Sequence, residues 1–225
     1  GIAQSIGLQG MGGIGKSILA AAVANHKKIR TAFPDGILWI SLGQNPDIFS
    51  VQTETIAYLS ADEFDIQSPK HGKSILTRLL ADKTILLILD DVWDIEHLSH
   101  FDLSMAESGL LITTRHAQVL RAVGAEEYEI NVLSEEQALE LLRRQGRWQQ
   151  SSLPEQAQKI IQECGFLPLA ISMIGASLKG RPANRWQNVL ERLQNAELQK
   201  IRHVFKDYPY PDLFKALHVS VEVLS

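Results

Sequence analysis

The stretch Gly10–Ser17, Gly-Met-Gly-Gly-Ile-Gly-Lys-Ser, limits what this chain can fold into more than any other. It fits GxxxxGK[ST]. In that pattern glycines let successive backbone N–H groups turn inward onto an anion, the lysine adds a positive charge, and the hydroxyl can hold a magnesium ion. Its setting narrows the reading further. Ser5-Ile6-Gly7-Leu8-Gln9 reads as a short strand before it, and Ile18, Leu19, Ala22 and Val23 recur as one helical face after it. Strand, glycine turn and helix N-terminus in that order aim the helix dipole and its free amides at a phosphate. A glycine-rich turn without a ligand is the weaker alternative. The pattern predicts a nucleotide site.

The first half of the chain alternates strand and helix. Ile37–Ser41 is an apolar run fit for a buried strand, Ile48–Leu59 is compatible with a helix, and Ser60–Gly72, polar and carrying a proline, reads as a surface loop. Ile75, Leu76, Leu79 and Leu80 restore helical spacing. Thr84–Leu89 is the most apolar strand and ends in Asp90-Asp91. Gly109–Thr114 is another, followed by a short helix with Val119, Leu120 and Val123 that stops at Gly124, and by a last strand at Tyr128–Ile130. Near-continuous apolar strands separated by helices predict a parallel sheet covered on both faces, in the α/β class. Ligands of such sheets bind at the carboxyl ends of the strands, where the glycine loop and the two aspartates fall.

From about Leu133 only helical signals remain. Ser134 with Gln137 makes a capping box ahead of Ala138, Leu141 and Leu142. Pro154 opens a second helix closed by Gly165, Pro168 opens a third stopped by Gly180, and Asn184 caps a fourth bearing Trp186, Val189, Leu190 and Leu193. The chain breaks again around Asp207–Pro211. The expected organisation is a nucleotide-binding α/β domain over 1–132, a small all-α domain over 133–206, and the start of a third domain over 207–225. Both ends read as cut from a longer protein.

Composition removes several classes of function. No apolar run approaches the ~20 residues of a bilayer span. A single cysteine, Cys164, cannot form an internal disulfide and fits a reducing compartment, most simply as a small buried apolar residue. A net charge of −4 does not suggest a general polyanion binder. His97 and His100 lie three apart without a partner set for zinc, and Trp39, Trp93, Trp148 and Trp186 sit in apolar patterns that suit packing better than stacking on nucleic acid.

The strand ends carry the remaining chemistry. Asp90 would emerge beside the glycine loop, where a cation bridging phosphates wants one carboxylate and the Ser17 hydroxyl. Asp91 is the candidate for orienting or deprotonating an attacking water, although its side chain is one methylene shorter than glutamate. At Thr113-Thr114-Arg115 a hydroxyl and a guanidinium could face the terminal phosphate, and a plain surface arginine is an equal alternative. Gly165-Phe166-Leu167-Pro168-Leu169-Ala170 is either a helix stop with proline at the next helix start or a rigid apolar face for a base, and periodicity does not choose.

Taken in order, Gly-Met-Gly-Gly-Ile-Gly-Lys-Ser, Ile-Leu-Leu-Ile-Leu-Asp-Asp-Val-Trp, Leu-Leu-Ile-Thr-Thr-Arg and Gly-Phe-Leu-Pro-Leu-Ala resemble the NB-ARC family of STAND P-loop NTPases. This family of nucleotide-binding switches is found in plant disease-resistance receptors, an animal apoptosis scaffold and bacterial regulators. The resemblance spans nearly the whole chain. It implies that Gly10, Met11, Gly12, Gly13, Ile14, Gly15, Lys16, Ser17 and Ile18 hold ADP or ATP, and that Ser17 and Asp90 hold Mg2+. It further implies that Asp91 is the second acid of the strand, Arg115 the sensor of the γ-phosphate, and Pro168 with Leu169 the adenine contact from the helical domain. The last helix, Ala-Leu-His-Val-Ser-Val-Glu-Val-Leu, resembles the start of a winged-helix domain. The implied partners are the nucleotide, further domains of the same polypeptide (winged helix, sensor repeats, effector) and other copies of itself when ATP is bound. The implied setting is cytoplasmic, with neither a membrane nor direct nucleic-acid binding. The expected function is an ADP/ATP switch with slow or no hydrolysis. A turnover ATPase of AAA+-like type, or a small-molecule kinase, is the rival. A scaffold without nucleotide is disfavoured by Lys16, Ser17 and Asp90.

Overall fold

The structure, a computed structural model, describes residues 5–102, 107–150 and 152–195, so the expected winged-helix start lies outside the described residues. The chain divides into two compact units, one of residues up to Met11 together with Lys16–Ile130, the other of Gly12–Gly15 together with the residues from Asn131 onward.

The first unit runs β1 (Ser5–Gln9), α1 (Lys16–Asn25), α2 (Lys27–Ala32), β2 (Gly36–Gly43), α3 (Ile48–Leu59), α4 (Pro69–Leu80), β3 (Ile85–Val92), α5 (Ile95–Ser99), β4 (Gly109–Thr114), α6 (Ala117–Ala122) and β5 (Glu126–Glu129). These strands form one parallel sheet in the order β2-β3-β4-β1-β5. The alternation of side chains along each strand then fills two cores. On one face Leu38, Ile40, Leu87, Leu89, Leu110 and Ile112 pack with Ile56, Ile75, Leu76 and Leu120 of the covering helices. On the other, Leu8, Leu86, Ile88 and Leu111 pack with Ala20 and Ala24 of α1. Each fully buried leucine or isoleucine contributes roughly 1.5–3 kcal/mol, which makes the two faces the main source of stability in this unit. At Gly7 the Leu120 side chain occupies the space where a Cβ would sit, so β1 can pass beneath α6 only with glycine there.

The parallel sheet covered on both faces is as the apolar strands require, and several local expectations are corrected. The face of α1 that meets the sheet is Lys16, Ala20 and Ala24, whereas Ile18 is 76% and Leu19 39% exposed. Once Lys16 points into the loop, the positions four and eight residues on must follow it, and alanine there lets the helix approach closely. The segment 60–72 is not all loop. Ser68 caps α4 by accepting from the His71 amide at 3.2 Å, and Pro69 occupies the first turn, where its missing N–H costs nothing. Helices α2 and α5, six and five residues long, were not expected. Strand β3 continues through the two aspartates to Val92, and β5 begins at Glu126 as an exposed edge that no apolar count would find.

In the second unit the described helices are α7 (Glu135–Gly146), α8 (Gln156–Glu163), α9 (Pro168–Ser177) and α10 (Ala183–Asn195). The capping box forms as its sequence predicts. Ser134 Oγ accepts from the Gln137 amide at 3.2 Å, and Gln137 Oε1 accepts from the Ser134 amide at 3.0 Å. Helix α8 starts two residues after Pro154. Asn184 lies inside α10 rather than capping it, because the Pro182 carbonyl already accepts the first turn's bond from Arg185 at 3.0 Å. Ala138, Leu142, Ile160, Ile161, Ile171, Ile174, Trp186 and Leu193 are buried, and the Trp148 and Trp186 rings meet edge-on with centroids 5.3 Å apart.

Candidate functional site

The glycine loop leaves the sheet at the end of β1, where the Gly10 amide donates to the Thr114 carbonyl of β4 at 3.3 Å. Gly13 (φ 78°) and Gly15 (φ 101°) then adopt left-handed backbone, which a side chain would penalise. Lys16, the first residue of α1, folds back so that Nζ donates to the Gly10 carbonyl at 2.7 Å and the Met11 carbonyl at 2.9 Å. Burial first and the Arg115 charge second lower its pKa from 10.5 to about 8, against the opposing pull of Asp91 and Asp90. A cation held at that cost is primed to accept an anion, which would restore its charge.

Ser17 Oγ donates to Asp90 Oδ1 at 2.8 Å, and Thr113 Oγ1 donates to the same oxygen at 2.6 Å. Two strands and a helix therefore fix one buried carboxylate. Beyond it the β3–β4 ladder slips. Leu89 pairs with Ile112 and Val92 with Thr114, three steps on β3 against two on β4. The extra residue is a β-bulge, and Asp91 takes φ 54° within it while its amide donates to Thr113 Oγ1 at 2.9 Å. The Asp91 side chain stays 39% exposed, with Oδ1 3.9 Å from Arg115 Nε. At that separation and exposure the pair contributes at most ~1 kcal/mol, so Arg115 is oriented more than bound by it.

Arg115 follows directly on β4. Its guanidinium carbon lies 4.6 Å from the centroid of the Trp93 ring, and Trp93 in turn meets His116 at 5.7 Å and 58°. Thr113 and Thr114 do not turn their hydroxyls toward a phosphate. Thr113 serves Asp90 and Asp91, and Thr114 Oγ1 donates to the Val92 carbonyl at 2.6 Å and accepts from the His116 amide at 3.0 Å. Both threonines are fully buried, locking the strand ends that carry the acids and the arginine. The structure thus gathers Lys16, Ser17, Asp90, Asp91 and Arg115. It gives Thr113 a different task from the one expected, holding the two acids through the bulge, and adds Trp93, which acts through a ring face that no spacing rule identifies.

Of the other loop residues expected to meet the nucleotide, Ile14 is buried and Met11 is exposed. In the second unit, Gly165 (φ 58°) and Phe166 (φ 56°) are consecutive left-handed residues that close α8, with the Phe166 amide donating to the Ile161 carbonyl at 3.1 Å. The Leu133 amide donates to the Phe166 carbonyl at 3.2 Å, and Leu167 and Cys164 are buried. Pro168 opens α9 and Leu169 is exposed beside it.

Residues 2–152 match the NB-ARC domain family. Apoptotic protease-activating factor 1 of Homo sapiens is 37% identical over 229 residues, covering 96% of this chain and 18% of that protein. A disease resistance protein of Arabidopsis thaliana is 30% identical over 205 residues, covering 86% of this chain and 21% of its own length. The chain thus spans about a fifth of the length of these relatives. Among solved structures, a Signal Transduction ATPase with Numerous Domains (STAND) protein with a tetratricopeptide repeat sensor from Pyrococcus horikoshii superposes with a TM-score of 0.55. The match is 18% identical and covers 97% of this chain and 37% of the other. The solved structure supports the fold, and the family and sequence matches supply the kinship. On these grounds the chain belongs to the NB-ARC family of nucleotide-binding domains.

Proposed function

We propose that this chain is an ADP/ATP switch whose turnover is slow. The observation that supports it most is the placement of Arg115. It is close enough to Lys16 for the two charges to repel, yet it is held at 3.9 Å from Asp91. Two cations this close suit a phosphate chain longer by one unit than Lys16 alone needs, with Asp91 and Asp90 offsetting their repulsion. Asp91, one methylene shorter than glutamate, reaches less far toward an attacking water, which favours retention of the nucleotide over rapid cleavage.

In this reading the amides of the glycine loop and Lys16 take the phosphates, and Arg115 distinguishes a triphosphate from a diphosphate. Ser17 and Asp90 fit magnesium, since both offer hard oxygen atoms and these already lie 2.8 Å apart. The ion, when bound, would draw charge from the phosphate oxygens. Pro168 and Leu169 would pack near the adenine, and Ile18 would contact the nucleotide. Exchange of ADP for ATP would then rearrange the helical domain and expose surfaces for self-association, an order and domain change driven by a γ-phosphate. We assign the α/β domain to 1–132 and the helical domain to 133–206, followed by winged-helix, sensor and effector domains in a cytoplasmic protein.

The test is nucleotide retention. Mass spectrometry of the purified chain should find co-purified ADP, released slowly on dilution. Rapid exchange without ADP preference, or steady-state hydrolysis above about one per second, would instead assign it to turnover ATPases.

A further inference from the structure

We infer that Trp93 is the positioning residue of the terminal-phosphate sensor, its indole face holding the Arg115 guanidinium toward the phosphate loop. The inference rests on the sensor role proposed for Arg115. Three observations support it. The first is contact: Arg115 Cζ is 4.6 Å from the Trp93 centroid, with Asp91 Oδ1 3.9 Å from Nε, so the guanidinium touches both a ring face and a carboxylate. A long side chain with many rotamers is thereby restricted before any ligand arrives, and such pre-organisation strengthens the eventual contact.

The second is the support behind the ring. Trp93 packs against His116 at 5.7 Å, and Thr114 joins the two flanking segments through the Val92 carbonyl and the His116 amide. The ring is thus positioned by the same strand ends that carry Asp91 and Arg115. The third is the choice of residue. Trp93 Nε1 is buried without an acceptor among the described residues. Phenylalanine or leucine would fill an apolar site without that penalty, so packing alone does not explain an indole. Of the aromatic faces, tryptophan attracts a cation most strongly, and here it opposes the repulsion between Arg115 and Lys16.

The experiment compares affinities for ADP and for a non-hydrolysable ATP analogue in the wild-type chain and in Trp93→Leu, Trp93→Phe, Arg115→Ala and Trp93→Leu/Arg115→Ala. Trp93→Leu should weaken the ATP analogue by roughly 3- to 30-fold, the range of a partly desolvated cation–π contact, and leave ADP within twofold. Trp93→Phe should keep most of the preference, and the double variant should match Arg115→Ala. Equal weakening of both nucleotides, or a loss that adds to that of Arg115→Ala, would overturn the inference. If Arg115→Ala shifts the preference and neither Trp93 variant does, the inference fails and the sensor reading stands. If Arg115→Ala shifts nothing, both fail. Should Trp93→Leu not fold, the Phe variant decides alongside NMR. The Arg115 side-chain resonances should be moved upfield by the indole and should shift on adding the ATP analogue but not ADP. Arg115 resonances without that upfield displacement would count against the ring contact.

Discussion

The loop that opens α1 and the loop that opens α9 both pass through left-handed backbone shortly before their helix begins, at Gly13 and Gly15 in the first and at Gly165 and Phe166 in the second. From there they diverge. The first supplies Lys16 and Ser17, whose side chains and amides can face an anion. The second supplies Leu167, buried, and Pro168, which has no N–H to offer. The first uses glycine at each left-handed position. The second accepts a phenylalanine there, at a cost of about 1–2 kcal/mol. Backbone bonds to Ile161 and Leu133 and the burial of its neighbours offset that cost. Similar torsions thus serve a polar task in one place and a packing task in the other. A helix N-terminus binds phosphate only where the sequence leaves it donors and a cation.

Replacing the cation strikes at this contrast hardest. Lys16→Ala should weaken nucleotide binding by at least about a hundredfold while calorimetry finds the chain folded; retained affinity would mean the site lies elsewhere. Asp90→Asn should remove about tenfold of the affinity gained on adding magnesium, measured by titration with and without the ion. The pH dependence is smaller. Free Lys16 loses its proton near pH 8 and a bound phosphate raises that value, so binding above pH 8 takes up a proton. Affinity should therefore fall by about fivefold from pH 8 to pH 9. The sign for folding is the opposite. The unfolded lysine keeps its proton to near 10.5, so the free chain gains stability across that window. Gly15→Ala should destabilise by about 1 kcal/mol through strain alone, since no atom lies within 4 Å of the added Cβ. At the other loop, Phe166→Asn should relieve strain and raise stability by a few tenths of a kcal/mol where its half-buried ring contributes little, as read from denaturant midpoints.

Much of the sheet could be read in advance because its central strands, β3 and β4, are buried along nearly their whole length. Ser5–Gln9 and Gly109–Thr114 are the strands the apolar runs outline, and Ser134 with Gln137 forms the box its spacing promises. What escaped depends on partners distant in sequence. Ile18 and Leu19 look like a core face of α1, but Lys16 sets the helix's rotation and alanines meet the sheet. Pro69 looks like a loop marker until Ser68 is seen capping the turn it opens. Thr113 and Trp93 gain their importance from Asp90 and Arg115, reached across the β3–β4 pairing that no local window contains. The loop lysine and serine were conspicuous because their spacing is local.

The bulge in β3 has a consequence for how separable the site is from the fold. Leu87, Leu89 and Val92 all face the same core, so the strand's alternation would be unbroken if Asp91 were skipped. The second acid is extra only against β4: toward β2 the register runs Ser41–Asp90 and Gly43–Val92 with no residue to spare, so shortening the chain there by one residue should cost the Gly43–Val92 pairing. Chemistry at this position can therefore be exchanged by substitution, which keeps the backbone bond to Thr113, but not by deletion, which would unpick one edge of the sheet to alter the other.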